Sequence, residues 1–447
     1  MTVLPVKFCE RIRRDHGSEA EQLLTALDTT AGTSIRVNPF KPISINDGIP
    51  IPWTKQGYYL QERPSFTADP LFHAGCYYVQ EASSMFIEHL FRTCVDETKS
   101  IAALDLCAAP GGKSTLLMSL LNKDSYIVSN EFISSRASIL QENIIKWGLG
   151  NAFVTNNDPA HFSRLKHHFD LVLIDAPCSG EGLFRKDPDA RLEWSEANCT
   201  LCEKRQEKII MESWDCLKPG GLLFYSTCTF NPGENEQLLA NLQAHISFDS
   251  IQIPIDSDWQ IREIQYQGIY GYQFLPYQTK GEGFFIAVLK KPGGETEKIR
   301  KTQPPAKPEA DKLLQKISGD QYGSILFKEH YHFASFRMLT DFNLIDKNLN
   351  LKYFGTEAGQ IIKGKLIPSH PLALSPFARL EEYEKIPLTK IQAQWYLSRK
   401  EFEVTASNPG WKIFTYEAYA LGFAKHLGNR WNNYYPLNWR IRMDIKP

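Results

Sequence analysis

Residues 169–182, FDLVLIDAPCSGEG, constrain the fold more than any other stretch of this chain. Leu171, Val172, Leu173 and Ile174 form an unbroken apolar run bounded by polar positions, the pattern of a parallel strand buried on both faces. The run stops on Asp175-Ala176-Pro177-Cys178 and a glycine turn. Ligands of open α/β sheets sit beyond the carboxyl ends of the strands, so an acid and a thiol delivered there belong to a site.

A strand–helix alternation surrounds this stretch and predicts a doubly wound sheet. Strands are expected over 100–106, 126–131, 151–158, 169–175 and 221–230, with helices over 113–121, 135–148, about 196–216 and 233–245. Segments 271–278 and 281–291 read as a closing hairpin. Before the alternation, Phe8 and Ile12, then Leu23, Leu24 and Leu27, are spaced for amphipathic helices, and 32–42 alternates like a strand with Arg36 and Asn38 as polar members. After Lys291 the composition turns to Pro, Gly and charge, the mark of a linker. The expected division is therefore an N-terminal α+β region 1–95, a catalytic domain 96–291, a linker 292–310 and a separate C-terminal unit 311–447.

The totals exclude several classes. With 43% hydrophobic and 23% charged residues the chain reads as an ordinary globular protein. No apolar run reaches the ~18 residues of a membrane span, and the charged first 25 residues leave no room for a signal peptide; a cytoplasmic protein is expected. Nine cysteines, all within the first 228 residues, are odd in number and suit no disulfide framework. Cys199 and Cys202 form a lone C-x-x-C on a helix without two further ligands, so no metal site is expected. His161, His167 and His168 read as solvated loop residues. The net charge of −1 neither requires nor forbids nucleic acid, which binds through a local basic face.

The turn after the first strand, LDLCAAPGGKS (104–114), resembles a phosphate loop only superficially, because Cys107 stands where G-x-x-x-x-G-K-[ST] requires glycine. The dinucleotide fingerprint G-x-G-x-x-G is absent too. Glu131 at the end of the second strand suits ribose hydroxyls, and Asp158 at the end of the third suits an adenine amino group. Acids at the ends of strands two, three and four around one glycine turn point to S-adenosylmethionine, with Cys107, Ala108, Ala109, Pro110, Gly111, Gly112 and Lys113 forming the turn and Asp175 completing the set.

LDLCAAPGGK, DAPCSGEG and YSTCTFNPGENE, in this order and spacing, closely resemble the RNA 5-methylcytosine methyltransferases, the Fmu and nucleolar-protein family. The match runs over about residues 30–290, with further likeness in QEASSM and GEGFFIA. LFRKDPDA (183–190) is similar to the branch that contains the bacterial small-subunit ribosomal RNA methyltransferase F. That branch carries a C-terminal PUA-like RNA-binding extension, which suits residues 311–447. Where the family often has Pro-His before GEGFF, this chain has Pro276-Tyr277.

The resemblance implies a Rossmann-like methyltransferase sheet and S-adenosylmethionine-dependent methylation of cytosine carbon 5. The expected RNA is 16S ribosomal RNA or the small subunit. The same chemistry on transfer RNA, or a catalytically lapsed assembly factor, is the alternative. It also implies Cys228 as the nucleophile and Cys178 as the residue assisting release, either as base for the carbon-5 proton or through a relay. Asp175 would bond cytosine at ring nitrogen 3 or its amino group. Lys113, Arg185 and Lys186 are candidates for holding RNA phosphates or the base, against the alternative of exposed helix-face charge. Carbon 5 is too weak a nucleophile unaided; a thiolate on carbon 6 makes it enamine-like and divides the step in two.

Overall fold

The computed structural model describes residues 3–294 and 311–444; of the expected linker 292–310, residues 295–310 lie outside them. At its centre is a mixed sheet. Five parallel strands lie side by side in the order Leu217–Thr227, Phe169–Asp175, Ala102–Asp105, Tyr126–Asn130, Ala152–Thr155. Phe284–Lys290, Ile269–Phe274 and Arg262–Tyr266 continue it antiparallel beyond Leu217–Thr227. The hairpin reading thus holds in kind, but a further strand, Arg262–Tyr266, extends it. The fifth parallel strand also starts earlier than expected, at Leu217, so the KPGG segment lies within its span.

The continuous apolar runs of these strands are explained by their two buried faces. Ala103, Ile127, Leu171, Leu173 and Phe224 belong to one hydrophobic cluster. Their neighbours Ala102, Leu104, Val128, Val172 and Tyr225 belong to another. Successive side chains point to opposite faces of a strand, and both faces here need cover.

Part of that cover comes from the chain after the linker, and here the expectation of a separate unit fails. Leu351–Phe354 pairs antiparallel with Ala152–Thr155 and becomes the outer strand of the catalytic sheet. The helix Phe336–Asn348 contributes Met338, Leu339, Phe342 and Ile345 to the second cluster. Residues 336–354 therefore belong to the same layered body as the catalytic sheet. Tyr126 at the start of the second strand donates to Asp341 of that helix at 2.8 Å and contacts His168 Nε2 at 2.7 Å. His168, expected in solvent, is buried in this contact, and burial lowers its pKa to about 4.

The N-terminal region divides in two. Val6–His16 and Ala20–Leu27 are helices that bury the expected Phe8, Ile12, Leu23, Leu24 and Leu27. They pack against Phe184, Trp194, Phe230 and Leu275, beneath the loops at the carboxyl end of the sheet. Thr33–Val37 lies in a small antiparallel sheet between Gly57–Leu60 and Tyr77–Val79. This sheet shares its core, through Ile35 and Tyr77, with Ile386, Tyr396, Leu421 and Tyr435 of the C-terminal part. In the aromatic tail 428–442, Tyr435 is fully buried and Trp431 and Trp439 pack on the same cluster, while Arg430 is exposed. No helix among the described residues is long and apolar enough to cross a membrane.

Candidate active site

Parallel pairing sets the geometry of the site. Phe169–Asp175 and Leu217–Thr227 run side by side with Asp175 opposite Ser226, so the two loops leave the sheet at one level. Cys178 and Cys228 each follow shortly after, and their sulfurs are 3.1 Å apart. The Cys228 backbone N–H also donates to Cys178 Sγ at 3.3 Å. Both cysteines are residues of intermediate burial. Their hydrogen bond, then burial, then the charge of Cys228 and after it that of Glu234 hold the Cys178 thiol well above its ordinary pKa, so Cys178 is protonated at rest.

Asp175 ends its strand between two donors: Ser226 Oγ gives to Oδ1 at 2.9 Å and Lys113 Nζ to Oδ2 at 2.7 Å. Burial works against the Lys113 ammonium, but Asp175 outweighs it and raises the Lys113 pKa. Lys113 also lies 5.5 Å from the ring centroid of Phe284. A carboxylate, an ammonium and two thiols thus converge at the mouth of two adjacent strands.

Glycine permits the loops to meet. Gly182 N donates to Cys228 O at 2.8 Å, and a Cβ on Gly182 would lie 2.4 Å from Gly283 O. Any side chain there would force the loops apart. The GEGFF segment belongs to the site for this reason: Gly283 lies backbone to backbone with Gly182.

A cavity of about 490 Å³ is lined by Cys107, Glu131, Phe132, Asp158 and Pro177 among others, and Pro177, next to Cys178 in the chain, joins it to the thiol loops. The expected adenosine acids therefore share one pocket with the Cys107 turn. Glu131 Oε1 accepts from Ile133 N at 2.9 Å, and Asp158 Oδ1 from Ala160 N at 2.9 Å, which fixes both carboxylates at their strand ends. Ala108 N bonds Asn130 O at 2.8 Å, and Ala109 and Pro110 give their carbonyls to Arg136 and Asn143. Gly111, at φ +114°, takes the left-handed turn into the helix Gly112–Leu120.

These residues fit S-adenosylmethionine. The wall offers acids and an exposed aromatic, Phe132, to a ribose and adenine. At the end of the first strand, two residues before Cys107, Asp105 Oδ1 is buried without a hydrogen-bond partner, in keeping with a cationic ligand nearby. Ser114 satisfies its other oxygen at 2.6 Å.

The RNA-contact candidates divide. Arg185 is largely buried and donates to Thr30 O at 2.7 Å and Gly281 O at 3.0 Å, so it ties the N-terminal segment to the GEGFF loop. Lys186 is exposed, 3.8 Å from Glu282. Tyr277, in place of the family's histidine, accepts from Arg262 at 2.8 Å, and Arg262 is paired with Glu19. Cys199 is buried near Glu181 and Glu234, with ligand atoms within 4.8 Å of one another. The Arg11 guanidinium already sits on Glu181, which also takes Trp194 Nε1 and Phe230 N, so a cation would meet a filled acceptor. Sequence reasoning missed Glu234 and Gln206, described below, although Glu234 stood inside the quoted NPGENE block.

Three family models match: "16S rRNA methyltransferase RsmB/F" over residues 93–290, the N-terminal domain of 16S rRNA methyltransferase RsmF over 4–82, and the methyltransferase RsmF PUA domain over 383–441. The Ribosomal RNA small subunit methyltransferase F of Shewanella loihica is 32% identical over 90% of this chain and 88% of its own. Its Escherichia coli counterpart is 31% identical over 93% and 92%. Among solved structures, a methyltransferase homolog protein from Pyrococcus horikoshii aligns with a TM-score of 0.54 and 27% identity, over 64% of this chain and 94% of that one. With this likeness running nearly end to end, the chain belongs to the RsmB/F family of 16S rRNA methyltransferases and is an S-adenosylmethionine-dependent RNA methyltransferase.

Proposed function

We propose that this enzyme methylates carbon 5 of cytosine in 16S ribosomal RNA, in the cytoplasm, by transient covalent bonding of the base to Cys228. The observation that carries this reading is the 3.1 Å approach of the Cys178 and Cys228 sulfurs beside the Lys113–Asp175 pair and the cofactor cavity. A methyltransferase acting on an amino group or a hydroxyl needs no thiol, and this site has two.

Cys228, as thiolate, adds to carbon 6; the carbon–sulfur bond forms as the carbon 5–carbon 6 double bond opens. Asp175 accepts from the amino group or, once protonated, donates at ring nitrogen 3, and Lys113 balances the charge that develops there. S-adenosylmethionine, when bound, supplies an electrophilic methyl group for carbon 5. The carbon-5 proton then leaves to a base, the double bond re-forms and the carbon–sulfur bond breaks, returning Cys228 as thiolate. Cys178 is the group placed to assist this release. Its proton is held mainly by the bond to Cys228, so occupation of Cys228 by the base removes the first cause of its raised pKa. The target base must leave its stack, at a cost of a few kcal/mol. We assign the N-terminal region, Lys186 and the C-terminal PUA-like unit to holding the flanking RNA.

Bisulfite sequencing of total RNA from cells with and without the gene tests the substrate. The expected result is loss of at least one protected cytidine in the small-subunit RNA. An unchanged small-subunit pattern with a lost transfer RNA signal would overturn the 16S assignment.

A further inference from the structure

Each cysteine loop carries a buried acid that reaches into the other loop. Glu181, three residues after Cys178, accepts the Phe230 N–H at 3.1 Å, two residues after Cys228. Glu234, six residues after Cys228, accepts the Ser179 N–H at 2.9 Å, directly after Cys178. Both carboxylates are fully buried. Ser179 and Thr229 add a hydroxyl contact at 2.9 Å between the same loops.

The two acids differ in what neutralises them. Glu181 holds the Arg11 guanidinium. Glu234 is surrounded by neutral donors: Ser179 N, Gln206 Nε2 at 2.9 Å and Asn231 Nδ2 at 3.0 Å. The same Gln206 amide donates to Pro177 O at 3.0 Å, the peptide just before Cys178. Glu234 and Gln206 therefore grip both flanks of Cys178. Tyr225 secures the other end by donating to Glu234 O at 2.7 Å.

We propose that Glu234 is a positioning residue for the two-thiol reaction: it locks the Cys178 loop against Cys228 and makes Cys228, not Cys178, the sulfur that carries negative charge. The proposal rests on the covalent reading above. Burial and then the charge of Glu181 raise the Glu234 carboxyl above its ordinary range while Ser179 and Asn231 work against them; ionised, Glu234 disfavours a second negative charge next to it. The neighbouring ionisable groups do not reverse this. Cys199 and Cys202 on the helix Glu196–Ser213 are themselves raised by burial first and then by these acids. Arg205 and Glu203 lie on that helix, Asp175 and Tyr225 on the two strands, Lys113 is paired with Asp175, and Arg11 is engaged by Glu181. The clamp thus sets both the distance and the polarity of the sulfur pair.

The test compares the full chain with Glu234→Gln and Glu234→Ala, using in vitro transcribed 16S RNA and S-adenosylmethionine. It follows covalent adduct formation and its resolution against pH. Glu234→Gln keeps an acceptor and removes the charge, so it should form adduct within about threefold of wild type while the pH limb over which resolution rises, set by deprotonation of Cys178, moves to lower pH by about one unit. Glu234→Ala removes the grip and should slow adduct formation by tenfold or more. Should the alanine variant fail to fold, the glutamine variant alone decides. An unmoved pH limb in Glu234→Gln overturns the proposal. A wild-type enzyme that forms no adduct at all overturns the covalent reading instead, and the two failures are distinguishable.

Discussion

Arg36 lies over Trp147, its guanidinium carbon 4.3 Å from the ring centroid, and donates to Thr115 Oγ1 at 2.6 Å and Gly112 O at 3.2 Å. One fully buried side chain of the N-terminal sheet thereby holds the first turn of the helix that follows the cofactor loop. Gln80, from the QEASSM segment, accepts its Nε at 2.8 Å. Arg36→Lys keeps the charge but loses the stacked plane and the forked donors. It should cost about 2–3 kcal/mol in chemical denaturation and raise the KM for S-adenosylmethionine several-fold. An unchanged KM would show that the N-terminal sheet does not support the loop.

The C-terminal part connects to the wall of the cofactor cavity through a chain of asparagines. Asn350 N donates to Asn157 Oδ1 at 2.8 Å, and Asn130 Nδ2 donates to Asn157 O at 3.0 Å and to Leu106 O at 3.1 Å. Asn157→Ala leaves the Asn350 N–H without its side-chain acceptor and should destabilise the protein by about 1 kcal/mol. Calorimetric titration should show weaker S-adenosylmethionine binding, because Asp158 is the next residue. Unaltered affinity would confine the C-terminal part to RNA.

Phe8 packs edge-on to Phe184 at 5.0 Å and Trp194 at 5.7 Å. It anchors the helix that brings Arg11 to Glu181. Phe8→Ala should lose about 3–5 kcal/mol of stability and lower kcat more than it changes the KM for S-adenosylmethionine. Thermal melting and steady-state kinetics check both halves.

Asp105 gives a pH dependence of defined sign. Burial raises its carboxyl from 3.8 to about 7 in the folded chain. The folded state therefore favours the protonated acid, so stability from this group is full below pH 4 and falls as pH rises from about 4 to 7. A difference of this size corresponds to roughly 4 kcal/mol at most. Without cofactor, wild-type Tm should fall between about pH 4 and 7 relative to Asp105→Asn. Parallel melting curves would contradict the assignment.

How far the sequence was legible follows from the range of each interaction. Glu131, Asp158, Asp175, Cys178 and Cys228 were readable because each stands at or just past the end of an apolar run, and parallel pairing brings such ends together. The Glu234–Ser179 bond was not, since a buried acid with backbone partners leaves no periodic trace. Neither was the pairing of Leu351–Phe354 with Ala152–Thr155, which crosses a charged, proline-rich segment that reads as a boundary. Arg185 reads as an RNA contact from its charge alone; its burial against Thr30 and Gly281 depends on a fold 155 residues upstream and 96 downstream. His168 misled likewise, because its partners Tyr126 and Asp341 are distant in the chain.

The central claim is that Cys228 bonds to the pyrimidine and Cys178 serves its release. Incubating Cys178→Ala and Cys228→Ala with 16S RNA and S-adenosylmethionine, followed by denaturing electrophoresis, tests it most directly. The account predicts that Cys178→Ala accumulates a protein–RNA adduct resistant to denaturant while Cys228→Ala forms neither adduct nor product. Methylation by Cys228→Ala at the wild-type rate would contradict it.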